Sequence, residues 1–296
     1  MKKLCTLFCF MALPCLLLAQ KPVAHLWGSV TRDSLLQEPH ATWFKKNYDD
    51  YKPNADIVAQ LKRLPTKDLH IKIFFGSWCG DTKREMPRLL KVLDDIGFPS
   101  AHIHFIAVSS DDAVYKQSKN REERGYNVFR VGCYVIEKNG REVNRIIEYP
   151  AYSMERDLLT IFTGQNYTPQ YAAYSTITQW LKNGDLLDDN TSPASLATQI
   201  KTQVSSMSDL NACGYVLLAD GKLKEAVKIF RINANLFPDN ANTYHSLAEG
   251  WLTLGDKDKA LAVLEYGLQI NKSPDMVKEY LALHKKIVSG EAVKSH

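Results

Sequence analysis

The residue of this chain best suited to covalent chemistry is Cys79. It lies in HIKIFFGSWCGDTKREMP, residues 70–87. There a β-prone run over 71–75, broken only by Lys72, passes through Gly76 and Ser77 into Trp78 and Cys79. A helix-prone run begins at Thr82. A cysteine at that junction stands at a helix start, where the first backbone N–H groups have no internal partner and the dipole favours negative charge. A thiol there gives up its proton more readily than a free one, and the thiolate is the form that attacks a disulfide. The neighbours pull in both directions. Asp81 opposes a thiolate by like charge, while Lys83 and Arg84 add positive charge just beyond. The Thr82 hydroxyl donates to the sulfur or caps the helix, and it cannot resolve a mixed disulfide. Trp78 shields the sulfur on one side. The alternative is a site that has lost its chemistry and is kept as a scaffold. Exposure of the sulfur separates the two.

Periodicity defines the elements that must hold these side chains. The strand over 71–75 leads into a helix over 82–96, with Met86, Leu89, Leu90, Val92, Leu93 and Ile96 as its inner surface. Phe98, Pro99 and Ser100 end it. A strand over 102–109 follows, and strand–helix–strand in this length predicts a right-handed βαβ unit with a parallel sheet. Residues 111–124 form a charged helix or loop. Strands over 133–137 and 142–148 flank the turn Lys138-Asn139-Gly140, and a helix over 154–162 closes the sheet. Ahead of the first strand, 31–36 and 39–48 are short helical pieces, and 55–64 is a helix that packs on the sheet. His102 and His104 alternate along a strand and share a face. No third ligand lies nearby in sequence, so a half-exposed strand face is favoured over a metal site.

Trp78-Cys79-Gly80, Lys83, Pro87 and the Lys138-Asn139-Gly140 turn together resemble the active-site segment and closing hairpin of the thioredoxin family, over roughly residues 55–165. The resemblance implies a thioredoxin-like α/β fold. It also implies thiol–disulfide exchange on protein thiols or disulfides, with Cys79 as nucleophile and no cofactor. The chain departs from the family pattern in three places. The second cysteine of the C-x-x-C motif is Thr82, the buried acidic residue falls on Ile73, and the cis-proline falls on Gly132. A non-proline cis bond costs about 3 kcal/mol, so a trans bond and a looser loop are expected at Gly132. The resemblance also sets the segment before the last hairpin against Cys79. Cys133 is thereby a candidate for the resolving role that Thr82 cannot fill. The alternative is a strand residue pointing into the core, and strand parity decides between them.

The C-terminal region repeats. Gly221 and Gly255, Ala226 and Ala260, Leu218 and Leu252, and Gly214 and Ala248 are each 34 residues apart. A 34-residue period with small residues at helix crossings resembles the tetratricopeptide repeat and implies an all-α helical-repeat domain that binds a protein or peptide partner. Helices over about 195–204 and 274–287 complete the stack. Cys213, beside Gly214 on a packed helix, is expected to be buried and inert. Tyr167, Tyr171, Tyr174 and Trp180 predict aromatic packing around a helix over 171–182, and 185–195 a loop.

The first residues carry Lys2, Lys3 and an apolar run over 4–19, the layout of a secretory signal cleaved after Ala19. The alternative is an uncleaved membrane anchor, for which the run is slightly short. Cleavage removes Lys2 and Lys3, taking the net charge from +4 to +2. That is too little to point to nucleic acid. Of six cysteines, Cys79, Cys133 and Cys213 remain. The expected organisation is a signal peptide over 1–19, a thioredoxin-like domain with its lead-in over 20–165, a helical linker region over 166–205 and a helical-repeat domain over 206–296. The expected location is the periplasm or cell envelope, with no stable membrane span. Two functions remain open: an exported thiol–disulfide oxidoreductase, or a non-catalytic adaptor in which the first domain is a platform and the repeats hold the partner.

Overall fold

The computed structural model describes residues 25–270 and 273–289. The expected signal peptide lies outside the described residues. A short strand β1 (Gly28–Val30) precedes helices α1 (Arg32–Leu35), α2 (His40–Asp50) and α3 (Ala55–Leu61). Then come β2 (Leu69–Phe75), α4 (Gly80–Asp95), β3 (Ile103–Ala107), the hairpin β4 (Cys133–Lys138) and β5 (Arg141–Ile147), and α5 (Met154–Phe162). The sheet order is β1-β3-β2-β4-β5. β2 and β3 are parallel and the other pairs antiparallel. The expected strand–helix–strand unit is therefore present. β1 is an addition, since the lead-in predicts only helices. Residues 111–124 form a loop with one 3-10 turn, Asp112–Val114.

Alternation along the strands gives the sheet two buried faces. Ile71, Ile73 and Phe75 of β2, with Tyr134 and Ile136 of β4, pack on Met86, Leu89 and Leu93 of α4. α4 carries Pro87 in its interior. A proline there has no N–H to give the carbonyl four residues back. That carbonyl, on Lys83, instead accepts from Asn47 Nδ2 of α2 at 3.0 Å.

The opposite face carries Phe74, Cys133 and Val135, and it shares its core with helices that follow, α6 (Ala172–Asn183), α7 (Pro193–Ile200), α8 (Met207–Ala219), α9 (Leu223–Leu236) and α10 (Ala241–Leu254). The last two, α11 (Lys257–Ile270) and α12 (Pro274–Ser289), pack beyond them in a cluster of their own with Ala241 and Ala248 of α10. One continuous core runs from Phe74, Val131 and Cys133 through Ile177 of α6 and Leu196 of α7 to Leu217 and Phe230 of α8 and α9. The expected linker region is therefore part of the packing, with α6 and α7 inside it. Three arginines of the loop between β3 and β4 fasten it to α8. Arg121 donates to Asp220 at 2.9 Å and Arg124 to the Asp220 carbonyl at 2.9 Å. Arg130 donates to Asp209 at 3.0 Å and to Tyr174 of α6 at 2.9 Å.

Consecutive helices from α8 to α12 pack on one another, with small residues at the crossings. Ala226 and Ala260 are fully buried. A Cβ on Gly214 would enter the Phe230 ring, and one on Gly267 the Tyr280 ring. Inserting methylenes at such a crossing forces side chains off their rotamers. Ala226→Leu is expected to cost about 1–3 kcal/mol; an unchanged thermal midpoint would contradict the close crossing.

Candidate functional site

β2 ends at Phe75, and a four-residue turn delivers Cys79 to the start of α4. Cys79 has extended backbone and is the residue before the first helical turn. Its N–H donates to Gly76 O at 2.9 Å and its carbonyl accepts from Lys83 N at 3.1 Å. The half-buried thiol donates to Val131 O at 3.3 Å. Trp78 is held by its indole N–H on Val108 O at 3.1 Å. Its ring lies so close to Gly76 that a Cβ there would sit 2.5 Å from it. The other side of Trp78 meets Tyr115, at 5.6 Å between ring centroids.

The charges around the motif are paired. Asp81 takes an ion pair from Arg84 at 2.7 Å, and Arg84 also meets Glu85 at 2.5 Å. Asp81 therefore stands beside a compensating charge. Thr82 was expected to cap α4 or donate to the sulfur, and it does neither. It is fully buried, and its hydroxyl has no hydrogen-bond partner.

The segment before the β4–β5 hairpin lies against Cys79 at Val131. The Val131–Gly132 peptide is cis, which corrects the trans bond expected from the cost of the isomer alone. The carbonyls on both sides of the bond are engaged. Val131 O receives Cys79, and Gly132 O accepts from Glu148 N at 2.7 Å. Nor is the segment loose, because Val128, Phe129, Val131 and Cys133 are all buried.

Cys133 begins β4, opposite Phe74 in register. Its side chain lies on the face covered by α6, away from Tyr134, and its thiol meets Arg145 Nη1 at 3.8 Å. Burial pushes this thiol up to about 11, although the Arg145 charge works the other way. Cys213 is fully buried as expected, and burial first, then Asp209, pushes its thiol well above the ordinary value. Cys79, Cys133 and Cys213 are all free thiols. Cys79 and Cys133 thus have different partners, one on the Val131 carbonyl and the other on Arg145.

Two residues of this neighbourhood escape sequence reasoning. Lys116, in the charged loop, donates to Phe129 O at 3.2 Å. Burial, then Arg130, pulls its ammonium down to about 8. Tyr134 is fully buried, next to Cys133 but on the opposite face. No spacing in the charged loop marks Lys116. Tyr134 looks like any aromatic strand residue. Beyond Tyr115 and Lys116 a cavity of about 370 Å³ opens between the loop and the helices, with Val128, Ala212 and Val216 on its apolar wall.

His102 ends a 3-10 turn rather than starting β3, and its Nδ1 is 3.0 Å from Leu69 O. His70 stacks on it at 4.2 Å and on His104 at 5.8 Å. Among the described residues no group of three or more His, Cys, Asp or Glu is arranged to hold a metal ion, and no helix is long and apolar enough to cross a membrane.

Comparisons with protein-family models, with curated proteins and with solved structures find no match to this chain.

The difference in exposure among the three thiols has a direct readout. Iodoacetamide under native conditions, followed by peptide mapping, should label Cys79 well ahead of Cys133 and Cys213. All three should label at similar rates after denaturation. Equal native labelling of Cys133 would contradict its burial.

Proposed function

We propose that this protein is a thioredoxin-like thiol–disulfide oxidoreductase of the cell envelope, with Cys79 as nucleophile and the C-terminal helices as a tetratricopeptide-like surface for a protein partner. The observation that carries the proposal is the setting of Cys79. A half-buried thiol sits at the start of an amphipathic helix, beside a pinned tryptophan and against the Val131 carbonyl of the segment before the closing hairpin. In that reading Cys79 attacks a substrate disulfide. One Cys79–substrate S–S bond forms, the substrate S–S bond breaks, and the leaving thiolate takes a proton from water. A second thiol then attacks the Cys79 sulfur: its S–S bond to Cys79 forms, the Cys79–substrate bond breaks, and the substrate thiolate leaves and takes a proton. An external thiol next attacks the second sulfur, Cys79 departs as a thiolate, and the two electrons come from the external thiols. Cys133 is a candidate for the second thiol if it turns from Arg145, and a small external thiol is the other. Tyr115, whose ring packs on Trp78, lines the apolar cavity, which in this reading receives a side chain of the bound substrate.

The second reading is a non-catalytic adaptor, favoured by the orphaned Thr82 hydroxyl where the family motif has a resolving cysteine. A disulfide-exchange assay on the purified protein beside Cys79→Ser separates the two. Exchange that disappears in the variant is the expected result, and equal rates in both proteins leave the adaptor. Mild oxidation should further show whether Cys79 links to Cys133 within the chain. If only dimers through Cys79 form, resolution belongs to an external thiol.

A further inference from the structure

Two buried hydroxyls beside the candidate site have no hydrogen-bond partner, Thr82 Oγ1 and Tyr134 Oη. Orphaned buried polar groups are rare in folded proteins and costly. Thr82 lies three residues beyond Cys79, so both belong to the same side of the first turn of α4. Tyr134 comes from β4, on the face that packs against α4. Its hydroxyl ends at Gly132, where a Cβ would lie 2.6 Å from Oη and 2.9 Å from Cζ. The Cys79 sulfur meets the adjoining residue, through Val131 O at 3.3 Å. Sulfur and phenol thus both abut the Val131–Gly132 peptide. Any residue with a Cβ at 132, proline included, would collide with the phenol. The glycine and the tyrosine therefore form one device, in which the side chain given up at 132 makes room for a hydroxyl.

We propose that Tyr134 Oη, together with Thr82 Oγ1, is the hydrogen-bond donor to the Cys79 sulfur whenever that sulfur carries negative charge. The proposal rests on the reading of Cys79 as a reactive thiol. In the resting protein the S–H bond points to a carbonyl, which suits a donor. Once the proton has left for solvent the sulfur is an acceptor, and a carbonyl no longer satisfies it. Two hydroxyl protons with nothing else to bond are then available to it, one from the same turn of α4 and one at Gly132, next to the carbonyl that the sulfur meets. The same pair receives the sulfur when a mixed disulfide breaks and Cys79 departs as the leaving thiolate. Burial first, and then the charges of Glu85 and Cys79, hold the Tyr134 proton in place well above the ordinary tyrosine range, so the phenol stays a donor.

The test is the pH dependence of Cys79 alkylation by iodoacetamide in the full chain, followed by peptide mapping, for the wild type, Tyr134→Phe and Thr82→Val. A hydrogen bond to a charged group is strong enough that Tyr134→Phe should slow labelling at pH 7 by about tenfold or more. The midpoint of the profile should move to higher pH, with the same plateau above it. Thr82→Val should move it in the same direction. Loss of an unpaired buried hydroxyl should leave the melting temperature of Tyr134→Phe unchanged or higher. Profiles of both variants that superimpose on the wild type overturn the proposal, as does a lowered melting temperature with an unmoved profile. If Tyr134→Phe fails to fold, Thr82→Val decides alone. A shifted profile in a protein without disulfide exchange keeps the donor pair and removes the oxidoreductase. Exchange with unshifted profiles does the reverse, and a Cys79 that labels at no pH removes both.

Discussion

A sheet with two apolar faces has to be covered twice, and this chain covers the second face with its own C-terminal helices. Phe74, Ile106, Val135 and Ile147 would otherwise face water. Burying a large apolar side chain fully is worth about 1.5–3 kcal/mol, so an uncovered second face would forfeit a stabilisation comparable to the net stability of a domain. The setting of the β3–β4 loop follows from that cover. The β3–β4 loop is caught between sheet and helices, and its polar groups must find partners there. Arg130 shows how this is met. Its guanidinium reaches Tyr174, Asp209 and Ser208 and lies 5.0 Å from the centre of the Tyr171 ring. Burial works against the charge, but the phenols and the Glu148 carboxylate more than offset it, and the pKa stays above the ordinary arginine value.

The candidate site inherits its geometry from that trapped loop. Val131 follows Arg130 directly, so pinning the guanidinium also fixes the carbonyl that meets Cys79. On the other side, Trp78 is wedged over Gly76 and tied to Val108. Ser77, buried beneath it, accepts the backbone N–H of Leu26 at 3.0 Å, so the segment leading into β1 also supports the turn before Cys79. The helix that presents the sulfur is compensated at Pro87 by a side chain from α2. Elements distant in sequence thus support the turn and helix that carry one thiol, and the Val131 carbonyl meets the sulfur itself.

Much of the sheet could be read from the chain because its elements have strong local signals. The run over 71–75, the Asn139-Gly140 turn and the apolar spacing of α4 each identify an element without help from the rest. The 34-residue spacing of Gly221 and Gly255 did the same for the helices. What could not be read was set by contacts between distant segments. β1 is three residues long and exists because it pairs with β3. His102 leaves the strand because of the turn before it. The Gly132 isomer and the free Thr82 hydroxyl depend on what lies across the fold. Cys133 shows the limit most clearly. Its place in the chain was legible, but its direction followed from register, and register is fixed by the opposite strand.

A core shared between sheet and helices leaves no seam. In a chain built as beads on a string, a protease cutting the string frees two folded pieces. Here the exposed turn between α6 and α7 is the natural place for a nick, but the strands before it and the helices after it close over the same apolar interior. Cutting the backbone there would yield two fragments still clasped together, neither with a dry surface of its own. The C-terminal helices therefore cannot be exchanged as a cassette, and the surface they present keeps a set bearing toward Cys79.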